Sequence, residues 1–215
     1  MRSHTLLLGL TLVLGLFRPA PSLADSGTGK EPAERYTPIF DMRAAFHPLP
    51  SRGGMVVSQE RLASEVGSEI LLRGGNAIDA AVATGFALAV SLPQAGNLGG
   101  GGFMLVYLAA EKRTIALDYR EMAPRRAHRE LFQDAQGNVD SERSRFGLQS
   151  SGVPGTVAGL AYALEKYGTM SLSEVLQPAI AMAAGGIEVS DTLAQSLAWR
   201  GDRLREDPAS AAYFF

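Results

Sequence analysis

Arg120 is the side chain best placed for chemistry in this sequence of 215 residues. It stands in Asp118-Tyr119-Arg120-Glu121-Met122-Ala123-Pro124, at the end of an otherwise apolar stretch. A guanidinium fork in that position could grip a carboxylate through two parallel hydrogen bonds. The same spacing also allows a structural ion pair with Asp118 or Glu121. The second feature is the glycine run Gly96-Asn97-Leu98-Gly99-Gly100-Gly101-Gly102. Phosphate-binding glycine loops follow a strand and open a helix, so that helix N–H groups face the anion. This run follows a helical pattern, opens an apolar strand and lacks a trailing Lys-Ser or Lys-Thr, which argues against nucleotide binding. It reads instead as a tight turn with close backbone packing, whose bare backbone groups could also line a pocket.

The other reactive side chains offer less. His4 and His47 lie near the N-terminus, and His128 has no partner at ligand spacing, so neither a metal site nor a Ser-His-Asp triad is indicated. There is no cysteine, which excludes disulfides, zinc-thiolate sites, iron–sulfur clusters and a cysteine nucleophile. Twenty Lys+Arg against 22 Asp+Glu, a formal charge of −2, argues against a general nucleic-acid binder. Arg125, Arg126 and Arg129 read as a solvated helix face, and Trp199 and Tyr162 as core residues. No catalytic residue is assigned within this chain, and no metal or other cofactor is implied.

Helices and strands must hold Arg120 and the glycines in place. Ser58 is expected to cap a helix with Leu62, Val66 and Ile70 on its apolar face, ended by Gly74-Gly75. Asn76 starts a second helix with Asp79 in its first turn, where the helix dipole favours an acid. From Ala77 to Val90 that helix is apolar on every side, as buried helices are, and Pro93 stops it. Phe103 to Leu108 and Thr114 to Arg120 read as strands joined by a polar hairpin, with Asp118 and Arg120 on one face. Residues 124–147 read as surface helix and loop. Val153-Pro154-Gly155 introduces a helix to Tyr167 ended by Gly168, and Ser171 with Glu174 forms a capping box for Leu172 to Ala184. Ser190-Asp191 opens a last helix through Trp199 towards Leu204.

The N-terminus reads as an address. A positive start, an apolar run from Leu6 to Phe17 and the small residues Ser22-Leu23-Ala24 give residues 1–24 the layout of a secretory signal peptide. The alternative, an uncleaved anchor, is weakened because spanning a bilayer takes about 20 apolar residues. Export of a cysteine-free chain suits a secreted protein of a bacterial periplasm or an extracellular space, with no membrane association after cleavage. Residues 25–52 are polar and rich in Gly and Pro, a leader or wrapping arm. Residues 53–215 form the folded part.

Several stretches together resemble the gamma-glutamyltranspeptidase family (gamma-glutamyltransferase, glutathione hydrolase). They are Gly54-Met55-Val56, Gly74 to Ala81, Pro93-Gln94-Ala95-Gly96-Asn97-Leu98-Gly99-Gly100-Gly101-Gly102-Phe103-Met104, Asp118 to Pro124, and Gly152-Val153-Pro154-Gly155-Thr156-Val157-Ala158-Gly159. The resemblance implies an α+β N-terminal-nucleophile hydrolase with an αββα sandwich, of which this chain is a helix-rich large-subunit portion with a few strands. It implies a self-cleaving precursor whose small subunit presents a threonine that attacks the γ-glutamyl amide of glutathione. Water, or an amino acid or peptide acceptor, then takes the glutamyl group. On this resemblance Arg120 holds the donor's α-carboxylate. No Thr-Thr pair occurs in the sequence, and Thr156 and Thr169 are internal. The chain is therefore expected to be an incomplete large subunit, inactive alone. Two alternatives are a related acylase that removes a glutaryl-type chain, and a non-catalytic fragment acting only as an interaction protein.

Overall fold

The computed structural model describes residues 50–215. The expected signal peptide, nearly all of the expected arm, His4 and His47 lie outside the described residues.

Two helices linked by a tight turn begin the fold. α1 runs Arg61–Leu72 and α2 runs Ala77–Ser91. The N-cap of α1 is Glu60, whose carboxylate accepts from the Ala63 N–H at 3.0 Å. Ser58, the expected cap, lies further upstream and pairs instead with the Ser64 hydroxyl at 2.7 Å. Gly74, at φ 91°, takes the left-handed position that closes α1, and the Gly75 N–H donates back to the Ile70 carbonyl at 3.0 Å. α1 buries Ala63, Val66, Gly67 and Ile70, while Leu62 is half-buried. At Gly67 the two helices approach so closely that a Cβ would strike the Thr84 hydroxyl. The buried Thr84 and Ser91 hydroxyls donate to the α2 carbonyls of Ala80 and Ala87, so neither is left unpartnered.

α2 is apolar all round and is covered over most of its surface, with Ala77 and Ala81 exposed among the described residues. It packs against α1, against α4 (Thr156–Tyr167) and against α5 (Leu172–Gly185), with Val82, Ala83, Phe86, Leu160, Ala163 and Val175 in the shared core. One charged side chain penetrates this core. Asp79 is fully buried and accepts hydrogen bonds from the Asn76 N–H at 2.7 Å, the Thr169 N–H at 2.9 Å, the Thr169 hydroxyl at 2.6 Å and the Met170 N–H at 3.1 Å. The first of these closes a capping box with Asn76, and the others tie α2 to the loop between α4 and α5. Asn76 adds a bond from Nδ2 to the Tyr167 carbonyl at 2.7 Å.

Ser171 and Glu174 form the expected capping box of α5. Ser171→Ala removes the hydroxyl that accepts from the Glu174 N–H and should weaken the α5 start by about 1 kcal/mol. Faster hydrogen exchange of the first α5 amides would register it; unchanged exchange would show the cap to be idle.

Between α2 and α4 lies an antiparallel pair, β1 (Phe103–Leu108) and β2 (Arg113–Asp118), in register from Phe103↔Asp118 to Leu108↔Arg113. Met104, Val106, Leu108, Ile115 and Leu117 face the helices. The opposite face leaves Phe103, Leu105 and Tyr107 at 66%, 76% and 64% exposure. The continuous apolar run thus alternates in burial, because among the described residues only one side of the pair is covered.

α3 (Ser141–Phe146) and a 3-10 turn, Leu148–Ser150, occupy the charged stretch. Arg125, Arg126 and Arg129 lie there in exposed turns rather than on a helix face. α6 (Asp191–Glu206), capped by Ser190, and α7 (Pro208–Phe214) finish the fold. Arg203 of α6 reaches Glu142 of α3 at 2.7 Å. Trp199 is 75% exposed and stacks under the Arg200 guanidinium at 3.8 Å, and Tyr162 is 48% exposed, so neither is a core residue.

Candidate functional site

The ladder between β1 and β2 continues for one rung beyond the strands. The Tyr119 N–H donates to the Gly102 carbonyl at 3.0 Å, and the Gly102 N–H donates to the Tyr119 carbonyl at 3.4 Å. Arg120 therefore sits just outside β2, where the chain leaves the sheet. Its own N–H donates to the Asp118 carboxylate at 3.1 Å, turning that acid towards the backbone. Among the described residues the guanidinium makes no ion pair with Asp118 or Glu121. The arginines that do pair with acids are Arg61, Arg113, Arg203 and Arg205. Asp118 thus shapes the turn that presents Arg120 while leaving its fork open.

Arg120 is exposed and borders two depressions. One, of about 760 Å³, runs between the end of β2 and the start of α4 and is lined by Ala116, Tyr119, Arg120, Pro154, Ala158 and Tyr162, among others. The other, of about 270 Å³, lies towards Phe132, Gln149, Ser151 and Gly152. Tyr119 is half-buried, and burial raises its phenol pKa above the ordinary value, so it is neutral at physiological pH.

The glycine run meets α4 through a backbone carbonyl, which occupies two amides at the helix start. The Gly100 carbonyl accepts from both the Gly155 N–H, at 2.8 Å, and the Thr156 N–H, at 3.0 Å. Gly155 has no side chain to cap α4, and Gly100 of the distant run supplies the acceptor in its place. Those first amides are the groups that a phosphate would need. The expected close backbone packing is present at Gly96, Gly100, Gly101 and Gly102, while the hydrogen-bonded turn lies at Leu92–Gly96 and residues 98–100 are bends.

A second set of glycines was legible only as a helix introduction. Gly152, Gly155 and Gly159 all face residues 119–121. A Cβ on Gly155 would strike the Tyr119 carbonyl, and one on Gly159 would enter the Tyr119 ring. The four-residue interval between Gly155 and Gly159 places both on one face of α4, a signal of close approach present in the sequence. Thr156 begins α4 with its N–H committed to Gly100, and the Thr169 hydroxyl is committed to Asp79. His128 lies in an exposed turn, 3.5 Å from the Glu130 carboxylate. Among the described residues no helix is long and apolar enough to cross a membrane.

Residues 63–215 match the sequence pattern of the gamma-glutamyltranspeptidase family. The glutathione hydrolase proenzyme of Escherichia coli K12 is 54% identical over 159 residues, which cover 74% of this chain and 27% of that protein. An acylase ACY 1 proenzyme of Pseudomonas sp. SE83 is 37% identical over 180 residues, covering 81% of this chain and 32% of that protein. The crystal structure of Helicobacter pylori gamma-glutamyltranspeptidase superposes with a TM-score of 0.76 at 47% identity, covering 79% of this chain and 48% of that one. The chain spans about a quarter to a third of the length of the glutathione hydrolase proenzymes it matches. Its helix-rich α+β organisation around a two-stranded sheet agrees with the N-terminal-nucleophile hydrolase architecture expected from the sequence. A match over residues 63–215, together with relatives such as the Escherichia coli protein at 54% identity, shows that the chain belongs to the gamma-glutamyltranspeptidase family.

Proposed function

We propose that these residues form part of the large subunit of an exported bacterial glutathione hydrolase and gamma-glutamyltransferase, with Arg120 as the anchor for the donor's α-carboxylate. The observation that carries this reading is the open Arg120 fork beside a groove, with Asp118 engaged on the backbone rather than on the guanidinium. A planar fork without an acid partner offers paired N–H groups to a carboxylate.

In this reading the small subunit of the same precursor supplies an N-terminal threonine. Its hydroxyl oxygen bonds to the γ-carbonyl carbon of glutathione, its α-amino group takes the hydroxyl proton, and cysteinylglycine leaves with a proton on its amine. Water, an amino acid or a peptide then attacks the ester and frees the threonine. Arg120 contributes by fixing the glutamyl end, so that the scissile carbonyl is held at one distance from the nucleophile.

The likeness to an acylase proenzyme supports a second reading, removal of a glutaryl-type chain. A glutaryl group keeps the carboxylate that Arg120 would hold and lacks only the α-amino group. Hydrolysis of γ-glutamyl and glutaryl p-nitroanilides by the processed precursor separates the two. The main reading expects kcat/KM to favour the glutamyl compound by about tenfold or more, and equal or reversed values would replace it with the acylase. Purified Met1–Phe215 alone should release no p-nitroaniline, and measurable turnover would show that the nucleophile lies within this chain.

A further inference from the structure

The two glycine motifs converge on the backbone that carries Arg120. From the glycine run, a Cβ on Gly101 would meet the Glu121 amide and stand 2.7 Å from the Arg120 carbonyl carbon. A Cβ on Gly102 would stand 2.9 Å from the Tyr119 ring. From the opposite side, Gly155 abuts the Tyr119 carbonyl and Gly159 abuts the ring. The Gly100 carbonyl ties the two sides together through the Gly155 and Thr156 amides. Tyr119 is thus seated between a bare loop and a bare helix face, one residue before the open fork.

We infer that Tyr119 is a positioning residue for the donor. Its ring, locked between Gly102 and Gly159, fixes the direction in which Arg120 leaves the sheet. An exposed arginine has many rotamers, so directional control must come from its backbone. The strand ends at Asp118, and beyond it the Tyr119–Gly102 rung, the Asp118 carboxylate on the Arg120 amide, the Met122–Val153 backbone pair and this glycine clamp hold the chain; of these, the clamp is what seats the Tyr119 ring. The four glycines share one reason for being glycine: at each, a Cβ would occupy space taken by residues 119–121. This inference rests on the proposed role of Arg120, and the test below separates the two.

The experiment measures KM and kcat of the processed two-subunit enzyme for γ-glutamyl p-nitroanilide and for 4-aminobutyryl p-nitroanilide, which lacks the α-carboxylate. Arg120→Ala serves as the reference. If it leaves the preference for the carboxylate-bearing donor unchanged, the reading of Arg120 fails and the clamp falls with it. If it abolishes that preference, Tyr119→Leu and Gly159→Ala are decisive. Each should raise KM for the glutamyl donor by about tenfold with a smaller change in kcat, and so reduce the preference. Tyr119→Phe, which keeps the ring, should retain it. Asp79→Asn, a remote change that lowers stability, should lower the melting temperature and leave the preference intact. Full preference in folded Tyr119→Leu or Gly159→Ala enzyme would overturn the clamp. Tyr119→Leu adds no side-chain branch towards either glycine face. If both variants yield no soluble enzyme, the glycines serve folding rather than aim, and the inference is equally overturned.

Discussion

Arg120→Ala in the processed enzyme is expected to raise KM for γ-glutamyl p-nitroanilide sharply and to lower kcat/KM about a hundredfold, roughly 3 kcal/mol. The magnitude follows from losing two charge-assisted hydrogen bonds at once, each worth about 1.5–3 kcal/mol before the screening of an open groove reduces it. Because the contact lies away from the scissile bond, much of the loss should appear in KM. Arg120→Lys keeps the charge and loses the fork, so it should fall between the two, about tenfold below the parent. Initial rates over a range of donor concentration measure both. An unchanged KM in Arg120→Ala would remove this residue from the site.

Asp79→Ala should be the most destabilising single change away from the groove, by about 3–5 kcal/mol. The carboxylate accepts from three backbone amides and one hydroxyl, and alanine would take the acceptor from all four at once while emptying a fully buried side-chain position. Asp79→Asn keeps the shape but turns one acceptor into a donor facing other donors, so its loss should be smaller, about 2 kcal/mol. Burial pushes the Asp79 carboxyl pKa up, but the bonds from Thr169, Met170 and Asn76 outweigh it and hold the pKa below the ordinary value. The unfolded chain therefore takes up this proton first as pH falls. The stability contributed by Asp79 is complete above the ordinary aspartate value of about 3.9 and disappears as pH drops through the lower folded value. Asp79→Asn should accordingly flatten the acid limb of the stability profile. Thermal unfolding followed by circular dichroism between pH 3 and 7 measures both effects, and a melting temperature equal to the parent's in Asp79→Ala would refute them.

Most helix boundaries were legible because their causes are local. Gly74, Gly168, the Asn76–Asp79 pair and the Ser171–Glu174 pair act within one turn of the residues they cap. Ser58 misled because Glu60, two residues later, has the longer reach to a helix amide. Trp199 misled for another reason: an aromatic residue in a helix suggests burial, while its actual neighbour is a solvent-exposed arginine in the next position. The candidate site was half legible. The type of Arg120 and the segment that carries it were readable, and the resemblance gave it a task. Which way Asp118 turns was not, since its choice between the guanidinium and the Arg120 amide depends on how the chain leaves the ladder. Nor could spacing reveal that Gly100 caps a helix beginning at Thr156, a contact set by tertiary packing alone.

The bonds from Thr169 to Asp79 join residues 90 positions apart, and they bear on the order in which the interior can close. α1 and α2 are neighbours in sequence and can meet while the rest of the polypeptide is still being made. At that stage Asp79 has the Asn76 amide but none of its partners from the later loop, so it must stay hydrated. The first turn of α2 is then expected to remain open to water until the segment around Thr169 arrives. Protection of the Thr169 and Met170 amides against pulse-labelling by deuterium should accordingly be among the last to develop during refolding.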